Sequence, residues 1–157
     1  MKMSISDIIS APLEEVFALV SSPVAMARAF PESVKKMEVL SEQRQGLGSR
    51  FRETRILRGK EDVIEIEIIE FVPNESVRSV AETGGSLWYT EFGVAPTNGG
   101  TQLTISIEAR AQSFLMRIAN FCMKPWLLKG GKEEMEGIKV HFAKARAARL
   151  NVVPGNN

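Results

Sequence analysis

Between Val34 and Ala111, glycine, proline and asparagine cut the chain into six short runs, and two of them alternate between apolar and polar residues. Ile64, Ile66 and Ile68 are interleaved with Glu65 and Glu67. Leu103, Ile105, Ile107 and Ala109 are interleaved with Thr104, Ser106 and Glu108. A period of two describes a strand with one wet face and one buried face. "VKKMEVLSE" and "SRFRETRIL" are separated by "RQGLG". "EDVIEIEIIEFV" ends at "PNE", "VRSVAET" meets "SLWYTEFGV" across "GG", and "PTNGG" leads into "TQLTISIEARA". Runs punctuated in this way predict an antiparallel meander. A sheet of that size with one apolar face needs a cover, and only the segment from about 113 to 150 is long enough to supply it.

That segment reads as a helix. At about 100° per residue, Leu128, Gly131, Met135, Ile138, Phe142, Ala145 and Arg149 share one stripe, as a sheet-covering helix should show. Gly131 lies inside the stripe, and Gly130 and Gly137 fall toward its back. Each interior glycine costs roughly 1 kcal/mol relative to alanine. The twin glycines are therefore expected either to widen a cavity beneath the helix or to let its backbone pack tightly on the sheet. Pro125 lacks a backbone donor and should kink the helix or split it. Upstream, 3–9 reads as a short strand. "SAPLEEVFALVSS" opens a helix with Ser10 as N-cap and Glu14 and Glu15 in the first turn, and Ser22–Pro23 starts a second short helix that Pro31 closes.

Composition narrows the function classes. The single Cys122 cannot form an intramolecular disulfide, and with His141 as the lone imidazole a Cys/His zinc cluster is ruled out. No metal or cofactor is expected. A net charge of +1 argues against nucleic acid as the main partner. No apolar run reaches signal-peptide or membrane-span length, so a soluble cytoplasmic protein is expected. Charge is nevertheless segregated: residues 61–91 hold eight acids and one base, whereas 113–149 hold eight bases and three acids. Solvated faces are the ordinary cause; an anionic surface reading the basic segment is the alternative.

The order strand, two short helices, six strands and a long helix, together with "ISAPLEEVFALVSSP" (9–23), "GLGSRFRET" (46–54), "IIEFVPNESV" (68–77) and "GGTQLTISIEA" (99–109), resembles the START-like (SRPBCC) superfamily. That superfamily includes the pollen-allergen group and the polyketide cyclase/dehydrase-like proteins. The resemblance implies an α+β helix-grip fold, β-α-α-β6-α, in which a curved antiparallel seven-stranded sheet wraps a long C-terminal helix. It implies one such domain over 1–150 with a flexible tail at 151–157. It also implies an apolar cavity between sheet and helix, which members use to bind lipids, sterols, hormones, quinones or polyketides. A minority of members catalyse cyclisation or dehydration. Fold likeness alone does not choose among these functions.

The walls expected for such a cavity are Phe51, Ile64, Ile66, Trp88, Thr90, Phe92, Leu103, Ile105, Gly131, Met135, Ile138 and Phe142. In "SLWYTEFGV" the face with Trp88, Thr90, Phe92 and Val94 is the more apolar and is expected to point inward, with Thr90 a sparse polar contact. "SRFRETR" leaves its inner face open: Arg50, Arg52 and Thr54 on one side, Phe51, Glu53 and Arg55 on the other. An inward Arg52 would anchor a ligand carboxylate. Three readings follow: a carrier of a small hydrophobic molecule, an enzyme using Arg52, Tyr89, Glu91 or His141 as its ionisable groups, and an interaction module. The enzyme requires ionisable groups converging inside the cavity. The third reading rests on 114–128, where Phe114, Leu115, Met116, Ile118, Phe121 and Met123 surround the helix among Arg117 and Lys124. That segment is expected to be buried under the first two helices, to lid the cavity mouth, to pack a homodimer, or to touch a membrane transiently.

Overall fold

The computed structural model describes residues 1–57 and 59–152. It contains, in order, β1 (Lys2–Ile9), α1 (Leu13–Val20), α2 (Pro23–Ala29), β2 (Val34–Val39), β3 (Arg50–Leu57), β4 (Lys60–Val72), β5 (Ser76–Thr83), β6 (Ser86–Thr97), β7 (Gly100–Ala111) and α3 (Phe114–Asn151). All seven strands form one antiparallel sheet in the order β1-β7-β6-β5-β4-β3-β2, so the chain's first strand closes the edge beside the last. This is the curved sheet and long C-terminal helix of the helix-grip fold. Of the expected tail, Asn151 still belongs to α3, and residues 153–157 lie outside the described residues.

The quoted motifs earn their places through backbone geometry. Gly100 adopts φ 131°, and a Cβ there would stand 2.2 Å from the Ile9 carbonyl oxygen, so only glycine lets β7 begin against the end of β1. Thr101, next along, is fully buried and donates to the Ala11 carbonyl at 2.8 Å. Asn74, in the left-handed region at φ 58°, turns β4 into β5. Ser49 is buried and donates to Gly46 O at 2.6 Å, holding the entry to β3.

Helix starts follow the expected chemistry at α2, where Ser22 Oγ accepts from the Ala25 amide at 3.2 Å and Pro23 stands at the first turn. At α1 they do not. Its N-cap is Pro12, with no side-chain cap, and Ser10 lies too far upstream to reach the first turn.

Register fixes which side chains face the helix. Phe51 stands opposite Ile66, Glu53 opposite Ile64 and Arg55 opposite Asp62; these pairs share the concave face. On the later strands the same face carries Val77, Ser79 and Ala81 opposite Phe92, Thr90 and Trp88, and then Ile105, Ile107 and Ala109. One core cluster joins α1, Ile9, Val94, Leu103 and Ile105 to Met135, Ile138 and Phe142 of α3. A second forms around Phe51, Ile68 and Val77, and Phe71 and Phe92 touch both. The helix rests on β1 and β7, near one edge of the sheet. It is unbroken at Pro125, whose ring lies on the exposed side.

Candidate functional site

Because α3 lies toward β1 and β7, the concave face of β3–β6 is only partly covered. Ile66, Ser79, Ala81, Trp88, Thr90 and Phe92 line it and are half-buried, whereas Leu103 and Ile105, directly under the helix, are sealed. These half-buried side chains form an apolar stretch of the concave face beside α3, while Phe51, Ile64, Ile68 and Val77 on the same face are sealed. The expected inward face of β6 is the observed one. Thr90 supplies its polar hydroxyl, and Trp88 donates from its indole nitrogen to the Thr83 carbonyl at 3.2 Å.

Two hollows lie elsewhere. One, of about 280 Å³, is bounded by Ser10, Pro12, Glu15, Phe142 and Arg149. The other, of about 630 Å³, is an open groove along α3 beside Leu128, Lys129 and Lys132.

A second stripe of α3 runs beside the sealed one. Glu134, Gly137 and His141 recur at helical spacing with Gly130 before them, and Phe30 closes one end against Gly137 and His141. Here the twin glycines separate. A Cβ on Gly130 would meet nothing within 4 Å. A Cβ on Gly131 would stand 2.7 Å from Ile5 Cδ1 and 3.5 Å from Met3 Cε on β1. Gly131 therefore seats the helix on the sheet and does not line a cavity, a correction to its expected place among the ligand contacts. Met135, Ile138 and Phe142 belong to the same sealed interface, with Lys139 Nζ donating to Asp7 Oδ2 at 3.0 Å beside it.

Of the ionisable groups expected at the site, Arg52, Tyr89 and Glu91 lie on the outer face of the sheet, and His141 sits at the edge of the helix stripe that carries Glu134. Arg52 points to the convex face and donates to Glu65 at 2.9 Å, so it is no anchor for a ligand carboxylate inside. Tyr89 is on the same outer face, with the Arg78 and Arg110 guanidinium groups 5.0 and 4.7 Å from its ring centre. Glu91 pairs in register with Arg78 on that face. His141 stands at the helix flank against the rings of Phe30 and Phe142.

A different set converges. Glu53 and Arg55 share the inner face of β3, Arg55 donates from Nε and Nη2 to Asp62 Oδ2 at 3.3 Å, and Glu134 faces them from α3. Neither Glu53 nor Glu134 has a hydrogen-bond partner among the described residues. Protein surrounds Glu134 on nearly every side, yet it keeps some solvent-accessible surface.

Burial, and then the charge of Glu53, push the Glu134 carboxyl up to about 7 against the pull of Arg55. Burial likewise raises Glu53, with Arg55 opposing it and Asp62 adding to it. Among the described residues no three ligating side chains are grouped to hold a metal.

Sequence reasoning passed over Glu53 and Glu134. The available signals were the shared parity of Glu53 with apolar Phe51 and the one-turn spacing of Glu134 from Gly130.

Comparison with known proteins agrees with this architecture. A family model described as polyketide cyclase/dehydrase and lipid transport matches residues 1–143. No curated protein matches the chain. Among solved structures, TTHA0849 from Thermus thermophilus is similar with TM-score 0.72 and 16% identity, covering 92% of this chain and 99% of that one. Norcoclaurine synthase from Thalictrum flavum, solved with dopamine and hydroxybenzaldehyde, gives TM-score 0.70 and 14% identity over 92% and 87% of the two chains. The protein Ara h 8.0201 gives 0.70 and 10% over 92% and 98%.

Proposed function

The chain belongs to the polyketide cyclase/dehydrase and lipid-transport family, and from that premise we propose that it binds a small, largely apolar molecule in the cleft between α3 and β3–β6. The observation that carries this reading is the half-buried apolar lining, Ile66, Trp88 and Phe92, on a sheet face that the helix leaves partly open. Apolar area removed from water would supply most of the affinity, at about 25 cal/mol per Å² before ordering costs. Thr90 and the Glu53–Glu134 pair would meet the polar end of the ligand. A neighbour of the same fold is solved with two small aromatic molecules, which fits a ligand of that size class.

The test is mass spectrometry of the purified protein under native conditions, followed by organic extraction. A discrete bound mass is expected, reduced in Gly130→Leu, which adds a large side chain in open space one turn before Glu134 on the same helix stripe. A protein that carries nothing and also fails to take up a fluorescent apolar probe rules the reading out.

The carboxyl pair favours a second reading. A glutamic acid raised to about 7 facing a second buried carboxyl is suited to general acid–base work, so the same cleft would serve a cyclase or dehydratase. That reading expects the extracted molecule to return from incubation changed in mass, by loss of water for a dehydratase. Glu134→Gln would abolish the change while weakening binding, followed separately by native mass spectrometry, far less.

A further inference from the structure

The first half of α3 is built with its polarity reversed. Its buried side chain is a polar one: Asn120 is sealed and donates from Nδ2 to Ser86 Oγ at 3.0 Å, while Met116 rests on Gly85 in the β5–β6 turn. Its large apolar side chains face outward instead. Phe114 is 73% exposed, Leu115 75%, Ile118 50%, Phe121 73% and Trp126 45%. Burial under the first two helices, the ordinary expectation for so apolar a segment, does not occur. Phe114, Ile118 and Phe121 follow helical spacing, so they form a continuous strip. An apolar strip of this kind marks a surface that something covers.

Charge identifies the cover. From Ser113 to Lys132 the chain has Arg117, Lys124, Lys129 and Lys132 and no acid. Arg117, Lys129 and Lys132 are exposed. A second copy docked through the strip would set Arg117 and Lys124 against their own copies with no carboxylate over 113–132, Lys129 alone having Glu133 3.8 Å away, and this like charge opposes a symmetric dimer. Outward aromatic and aliphatic side chains flanked by bases are instead the pattern of a helix lying in the interface of a bilayer. No helix among the described residues is long and apolar enough to cross one.

We propose that residues 114–132 of α3 dock the protein on anionic phospholipid membranes, with Phe114, Leu115, Ile118 and Phe121 entering the headgroup region. The inference does not depend on the cleft being a ligand site.

It is tested by co-sedimentation of the full chain with two kinds of vesicle: phosphatidylcholine alone, and phosphatidylcholine mixed with phosphatidylglycerol. Binding is expected to the mixed vesicles, weakening as salt is raised. Phe114→Ser with Phe121→Ser should lower it about tenfold, and Arg117→Ala and Lys132→Ala about fivefold each. These positions are exposed, so circular dichroism should show the variants folded.

Absence of binding to the mixed vesicles, or binding indifferent to lipid charge and to the two phenylalanines, overturns the proposal. So does a dimer in sedimentation velocity that the phenylalanine variant dissolves, because the strip then belongs to a second copy.

Discussion

Two adjacent glycines on one helix serve opposite purposes, because consecutive helical positions point about 100° apart. At Gly131 the missing side chain lets α3 approach β1, where a Cβ would crowd the tip of Ile5. At Gly130 it leaves open space. Substitution should therefore split the pair. Gly130→Ala meets no neighbour and should stabilise by about 1 kcal/mol through helix propensity and a less flexible unfolded chain. Gly131→Leu must displace Ile5 and Met3 and lift the helix from the edge strand, an overpacking change that typically costs about 1–3 kcal/mol. Urea denaturation of the two variants decides the matter. Equal effects would mean that the helix does not seat on β1 as described. Gly131→Leu thus probes packing, and Gly130→Leu is the variant that probes the cleft.

At the scale of the element, α3 is one helix with two environments. From Gly131 to Phe142 its apolar stripe is sealed; from Phe114 to Trp126 its apolar side faces out and the sealed contact is the Asn120–Ser86 bond. Asn120→Ala would leave the fully buried Ser86 hydroxyl without its partner, at a cost of about 1–3 kcal/mol. Amide hydrogen exchange should then quicken over 114–122 ahead of the sealed half, and unchanged protection there would show that the bond does not hold the front of the helix. The sealed stripe was legible in the sequence because burial against a sheet imposes helical periodicity, as period two exposed the strands around Ile64 and Ile105. The front half has no such single-sided pattern, so its orientation was not legible. The faces of "SRFRETR" were equally mute, since both carry arginine. Only the register of Phe51 with Ile66 turns Glu53 inward and Arg52 outward. Glu134 becomes a site residue only because the curved sheet brings β3 across from α3, a relation with no local signature.

For the whole molecule, the raised carboxyl of Glu134 ties the acid–base reading proposed for the cleft to the stability of the fold. Below pH 4.5 Glu134 holds its proton both folded and unfolded. Between 4.5 and about 7 the folded chain keeps a proton that the unfolded chain releases, so stability falls as pH rises and levels off above about 7. At about 1.4 kcal/mol per pH unit, that window costs the folded state on the order of 3 kcal/mol. Glu53, also raised, adds in the same direction. Asp7, Glu65 and Glu108 are held below their ordinary values by Lys139, Arg52 and Arg110, so their contributions are lost only as pH falls below about 4.5 and do not overlap this window. Glu134→Gln should therefore match the wild type near pH 4.5 and exceed it by that amount at pH 8, measured as denaturation midpoints across the range. A variant that parallels the wild type throughout would mean that the carboxyl is solvated and ordinary, and the acid–base reading of the cleft would lose its basis. A bound cation would act against the same linkage, since it favours the ionised pair and would flatten the wild-type slope. The pH profile with and without an extracted ligand thus also reports the charge of whatever the cleft holds.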